Sequence, residues 1–162
     1  MNGHMVMHKR FGKGNYLYFI TADHGVSESP GFYLENKMPS GALLNTEFSQ
    51  AVTEGLKSKY AVEKPVLSFA NYQIYMNWEE FDKKGINRSD VGRTIKEILL
   101  KSPGIANVLE SESLGTAALP EHIKSMLIKG YNVKRSGDYV VIIQPTWKGG
   151  SAKGATHGTW YP

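Results

Sequence analysis

Between Thr46 and Gln144 the spacing of apolar residues alternates between a helical and a strand period, and that alternation leaves few folds open to the chain. Phe48, Val52 and Leu56, with Ala51 beside them, share one face of a helix expected from Thr46 to about Lys59, capped by Asn45 or Thr46. Val66 to Phe69 and Gln73 to Met76 read as two short strands of a hairpin around Asn71. Asn87 is placed to cap a second helix, with Asp90 in its first turn and Val91, Ile95, Ile98 and Leu99 as its buried stripe. Pro103-Gly104 ends that helix, and Ile105 to Leu109 follows as a strand. Pro120 suits the first turn of a third helix, which turns Ile123, Met126 and Leu127 inward and stops at Gly130. Tyr139 to Gln144 is the last strong strand. Strands and helices in this order predict an α/β fold with a mixed, partly antiparallel sheet packed with helices. At 162 residues the chain has the length of one domain. Within it residues 46–145 are expected to form a compact lobe and 146–162 a flexible, truncated segment.

Upstream of the lobe, the near-continuous apolar run Tyr16 to Thr21 follows the turn residues Gly12-Lys13-Gly14-Asn15 and reads as a strand covered on both faces. Val26 to Asn45, carrying Pro30, Gly31, Pro39 and Gly41, shows no period and is expected to be irregular. An irregular stretch of that length usually borders a functional site. Where the apolar run stops stands Asp23-His24-Gly25. Successive strand side chains point to opposite faces, so the acid and the imidazole reach one ion only if the chain turns there, as Gly25 permits. Carboxylate and neutral imidazole are ordinary zinc ligands, but a complete site needs about four donors. The same three residues also make a plain turn, which is the reading for a non-catalytic α/β binding or structural module.

The absence of cysteine confines any metal to oxygen and nitrogen donors. The 19 Lys and Arg against 15 Asp and Glu are scattered and not gathered into a stripe, which argues against nucleic acid as a partner. Trp78 and Trp147 are accordingly expected in the core or at its rim. No apolar stretch approaches the roughly 18 residues of a membrane span. His4 and His8, one helical turn apart, belong to an opening that reads as a cloning remnant or a frayed helix end, and His122 is expected to face solvent. The glycine-rich stretch Gly149 to Gly154, flanked by Lys148 and containing Lys153, lacks the strand, Lys-Ser/Thr and helix order of a phosphate-binding loop. Arg135 and Asp138 are expected to shape the turn before the last strand.

A second His-Gly pair, His157-Gly158, follows that glycine-rich stretch. Together with Thr21-Ala22-Asp23-His24-Gly25, Pro30-Gly31, Glu35-Asn36-Lys37, Lys134-Arg135-Ser136-Gly137-Asp138 and Gly154-Ala155-Thr156-His157-Gly158, it resembles the alkaline phosphatase superfamily. The likeness is to the bacterial phosphate-irrepressible alkaline phosphatases and their phosphodiesterase/nucleotide pyrophosphatase relatives. The separation of the two histidines, 157 − 24 = 133 residues, is also what the resemblance implies.

What it implies further is a portion of a zinc-dependent hydrolase of phosphate mono- or diesters, periplasmic or secreted in its parent form. Asp23 and His24 match ligands of the zinc that contacts the nucleophile, and His157 matches a ligand of the second zinc. Two such ions stabilise the entering and leaving oxygens of an in-line displacement, and a metal-bound hydroxyl becomes a nucleophile near neutral pH. In the family the nucleophile, an early Asp ligand, an Asp-x-x-x-His pair and the phosphate-contacting basic residues all precede the position of Asp23. None of them is matched here, and neither Thr21 nor Thr156 stands at the nucleophile position. The chain therefore reads as a C-terminal portion of such an enzyme, inactive alone, with Trp160 and Tyr161 at a substrate mouth in the parent.

Overall fold

In the computed structural model, which describes residues 3–22, 25–154 and 157, the core gathers around a four-stranded sheet. The chain opens with helix α1 (Gly3–Phe11), α2 (Pro30–Glu35), strand β1 (Gly41–Leu43) and the long helix α3 (Asn45–Tyr60). The hairpin β2 (Val66–Ala70) and β3 (Gln73–Met76) follows, then α4 (Trp78–Asp82), α5 (Arg88–Leu99) and β4 (Ile105–Glu110). A 3-10 turn at Ser111–Thr116 leads to α6 (Glu121–Gly130), β5 (Tyr139–Ile143) and β6 (Trp147–Gly149). The four-stranded sheet runs β2-β3-β5-β4 with every pair antiparallel, and β1 pairs in parallel with β6 as a separate two-stranded sheet. The α/β fold and mixed sheet content agree with the sequence reading.

Strand β5 explains the layering. All five of its residues are buried, so its two faces need separate cover. Tyr139, Val141 and Ile143 pack with Val91, Ile95 and Leu99 of α5 and with Val52 and Leu56 of α3. Val140 and Ile142 turn the other way, onto Leu114 of the 3-10 turn and Ile123 and Leu127 of α6. The result is helices on both faces of an antiparallel sheet. Gly55 of α3 lies where a Cβ would come within 2.5 Å of Ile98, which is how α3 and α5 approach closely enough to cover the sheet together.

Several expectations are corrected. Tyr16 to Thr21 takes no place in a sheet: Leu17 is 88% and Ile20 82% exposed, and the segment pairs with no strand among the described residues. The pattern for a two-sided strand is there, but Leu17, Phe19 and Ile20 stay exposed while the half-buried Tyr16 ring packs edge-on against His8 of α1 at 5.5 Å. Val26 to Asn45 is less irregular than expected, since it contains α2 and β1. Ser29 caps α2 by accepting from the Phe32 amide at 3.2 Å, with Pro30 in the first turn. Helix α3 begins after Leu44 with no side-chain cap, so neither Asn45 nor Thr46 caps it. Met126 of α6 is 45% exposed, whereas Ile123 and Leu127 point inward as expected. Trp147 to Gly149, inside the stretch expected to be flexible, form β6. Asn87 does cap α5, accepting from the Ser89 amide at 2.8 Å.

Candidate functional site

The sequence-derived metal ligands divide into two groups. Asp23 and His24 lie outside the described residues, as do Trp160, Tyr161 and the side chain of His4. His157 is described and exposed. The residues that flank these positions meet across a large sequence distance. The Ser27 hydroxyl donates to the His157 carbonyl at 3.4 Å, and the Gly31 amide donates to the Ala152 carbonyl at 2.9 Å. Ser27 stands three residues beyond His24, so the chain after the first His-Gly pair is brought against the chain at the second.

A buried lysine strengthens this junction. Lys148, at the centre of β6, is 3% exposed and donates through Nζ to the Glu28 carbonyl at 2.7 Å and to the carbonyl and hydroxyl of Ser27, each at 3.4 Å. Burial pushes its ammonium pKa down from the usual lysine range, and the nearby Glu28 charge partly opposes that shift. The sequence reading treated Lys148 as a flank of a flexible connector. A Lys between Trp147 and Gly149 carries no sequence signal of burial, because lysine is almost always exposed.

The strand that carries Lys148 is fixed to the lobe on one side and to the upstream chain on the other. Gly41 pairs with Trp147 and Leu43 with Gly149 in the β1–β6 ladder. The Trp147 indole lies between Gly41 and Gly104, where a Cβ at either glycine would fall within 2.3 Å of the ring. Ser40 donates to the Thr146 carbonyl at 2.6 Å, and the Gly149 amide donates to the Tyr72 hydroxyl at 2.7 Å. The lobe therefore holds β6 in place, and β6 holds the segment beyond His24.

On the lobe itself, Asp138 does more than shape a turn. It accepts from the Met76 amide at 2.7 Å and from Trp78 Nε1 at 2.6 Å, tying β3 and α4 to the start of β5. Arg88 lies 4.8 Å from the Trp78 ring centre and pairs with Asp82 at 2.7 Å. Trp78, Arg88, Glu110, Asp138 and Tyr139 line a cleft of about 180 Å³. Burial, with the charges of Glu110 and Asp138, pushes the Tyr139 phenol pKa well above its usual value. The carboxylate of Asp138 and the guanidinium of Arg88 are thus engaged within the lobe.

Among the described residues no group of three or more His, Asp or Glu side chains is placed to hold a metal ion. The donor set Asp23, His24 and His157 has the nitrogen and oxygen chemistry that zinc accepts, but it is a partial set for two ions. Nor is any helix among the described residues long and apolar enough to cross a membrane.

No protein-family model matches the chain. Among curated proteins it is 35% identical over 153 residues to alkaline phosphatase PafA of Elizabethkingia meningoseptica, covering 94% of this chain and 28% of that protein. It is 32% identical over 157 residues to alkaline phosphatase PhoV of Synechococcus elongatus, covering 95% and 28%. A protein of Myroides odoratus named calcium-transporting ATPase is 35% identical over 154 residues, with 94% and 28% covered. The crystal structure of wild-type PafA superposes with a TM-score of 0.82 at 34% identity, over 97% of this chain and 30% of that one. A crystal structure of a PafA variant gives a TM-score of 0.80 at 35% identity, over 97% and 29%. The chain spans 28% of the length of the curated relatives it matches.

Proposed function

We propose that the chain, similar along most of its length to a 28% share of alkaline phosphatases PafA and PhoV, is a segment of the alkaline phosphatase superfamily and supplies three ligands of a two-zinc phosphate-ester hydrolase. Asp23 and His24 serve one ion and His157 the other. The nucleophile and the remaining ligands belong to the part of the relatives that this chain does not span. Zinc at such a site supplies charge stabilisation for the oxygens of a phosphoryl group and lowers the pKa of a bound hydroxyl. The substrates are phosphate mono- or diesters, and the chain alone does not turn them over.

The observation that supports this reading is the contact of Ser27 with the His157 carbonyl across 130 residues of sequence. A plain turn has no need of that partner. This chain's own part is to hold two distant ligand-bearing segments side by side. The lobe between them provides the rigidity, through β6 and the Trp147 ring.

Two measurements test the reading. In a zinc titration followed by histidine ring resonances, His24 and His157 should respond ahead of His122, which lies on α6 away from the junction. Unmoved His24 and His157 signals would sink the ligand assignment in favour of a non-catalytic module. Hydrolysis of p-nitrophenyl phosphate and of its bis ester with added zinc should stay at background for the isolated chain. Turnover that disappears in His24→Ala would overturn the claim of inactivity.

A further inference from the structure

Among the described residues Lys148 is the one buried lysine or arginine, and the site just described makes no chemical use of its charge. Its surroundings define what it does. An ammonium has three donors and no acceptor, and the groups facing this one are two main-chain carbonyls and one hydroxyl. All three belong to Ser27 and Glu28, the residues that lead away from the first His-Gly pair. Lys148 itself lies on β6, nine residues before His157. One side chain therefore spans the two segments that meet at this junction.

We infer that Lys148 is a positioning residue, whose ammonium fixes the segment following His24 against the strand leading to His157. The functional consequence, a set spacing between the two ligand groups, rests on the zinc reading above. The fastening itself does not.

Two other ties across the junction, seen among the described residues, are weaker by kind. Ser27 to His157 is a neutral bond at 3.4 Å, near the outer limit for a hydrogen bond. Gly31 to Ala152 is a single neutral amide–carbonyl bond at 2.9 Å. Bonds from a charged donor are roughly twice as strong as neutral ones, so the 2.7 Å bond from Nζ to Glu28 dominates. Burial adds to this, because an ammonium taken from water must keep its acceptors. A shift of the Ser27–Glu28 segment would leave the charge without them. The cost of that movement is what holds the junction in register.

Lys148→Met keeps the length of the side chain and removes its donors, whereas Lys148→Arg keeps donors. Amide exchange at Gly31, which donates to Ala152, reads the junction, and exchange at Val141, which donates to Tyr72, reads the lobe. In Lys148→Met, Gly31 exchange should rise at least tenfold with Val141 unchanged, and Lys148→Arg should restore protection. Zinc titration of the same three chains should show His24 and His157 responding together in wild type and Lys148→Arg, but at midpoints weakened several-fold and no longer coincident in Lys148→Met. Unchanged Gly31 protection in Lys148→Met overturns the inference, as does an arginine variant as loose as the methionine one. If neither histidine responds to zinc even in wild type, the zinc reading fails, while Gly31 exchange still decides the fastening. Should Lys148→Met loosen Val141 as well, the unaltered chain supplies the answer. A slowly exchanging Lys148 ammonium signal with cross-peaks to Ser27 and Glu28 supports the fastening, and a rapidly exchanging one without them overturns it.

Discussion

The Tyr72 hydroxyl accepts a hydrogen bond from the Gly149 amide at 2.7 Å, joining the turn of the β2–β3 hairpin to the strand that bears Lys148. Tyr72 follows Asn71 in that turn, and both residues adopt left-handed backbone angles, with φ of 59° and 50°. The turn conformation thus places a phenol where β6 has an amide to satisfy. Tyr72→Phe should cost about 1 to 2 kcal/mol, the range for leaving a partly buried donor without its acceptor. Urea unfolding measures the loss, and faster exchange at the Gly149 amide locates it.

The Trp147 ring leaves no space for a side chain at position 104. Gly104 has φ of +82°, and a Cβ there would sit 2.2 Å from a ring carbon. Gly104→Ala combines left-handed strain with displacement of the indole, for an expected loss of about 2 to 3 kcal/mol. A shift in tryptophan fluorescence should accompany it. An unchanged unfolding midpoint would show that the ring moves aside freely.

Asp138 accepts from two donors, the Met76 amide and Trp78 Nε1. Asp138→Ala should cost about 2 to 4 kcal/mol, since each abandoned donor costs about 1 to 2 kcal/mol when it is cut off from water. Asp138→Asn keeps one carbonyl oxygen and should lose clearly less. Equal losses in thermal unfolding of the two variants would contradict this account.

Tyr139 sets an alkaline limit. Its phenol is held neutral in the folded chain by burial and by the charges of Glu110 and Asp138, whereas in the unfolded chain it ionises near its ordinary value of 10.0. Above that pH the unfolded state has lost a proton that the folded state keeps, so this contribution is complete below pH 10 and declines as pH rises beyond it. Stability measured by urea unfolding from pH 8.5 to 11 should fall less steeply in Tyr139→Phe than in wild type. Parallel slopes would exclude Tyr139 as the cause.

The exposed run before the first His-Gly pair should govern self-association. Leu17, Phe19 and Ile20 are 88%, 77% and 82% exposed, and apolar runs of this kind draw other chains into pairing. Replacing Leu17 and Phe19 with Lys should raise the concentration at which the chain remains monomeric in ultracentrifugation, with the lobe's unfolding midpoint unchanged. A drop in that midpoint would mean that the run packs on the lobe.

Comparison of that run with β5 shows what periodicity conveys. Tyr16 to Thr21 and Tyr139 to Ile143 carry the same signal, continuous apolar residues with aromatic and β-branched members. β5 lies between two helical layers whose residues are in the chain, while Leu17, Phe19 and Ile20 of the first run stay exposed. Pattern reports a demand for burial and not whether the partners are present. Helices α3 and α5 were legible because Val52, Leu56, Val91 and Ile95 recur at helical spacing and are fully buried. α2 and β1 were missed as short elements, although Ser29-Pro30 was a readable start. The candidate ligands came from motif and spacing. Lys148 did not, because its burial depends on the pairing of β6 with a strand more than a hundred residues earlier.

That pairing also describes a route. The chain leaves the neighbourhood of the candidate site at Leu43 and is back beside it at Trp147, on a strand in register with the one it left. Two residue rises of about 3.3 Å along the strand and a spacing of about 4.8 Å between strands put departure and return roughly 8 Å apart. Such a path is that of a detour whose two ends touch on one ladder, and its core reaches back to them through Leu43 and Trp147. Sequence between Asn45 and Thr146 can then lengthen or shrink across related proteins at little expense to the junction wherever it stays clear of Tyr72 and Gly104, which contact β6.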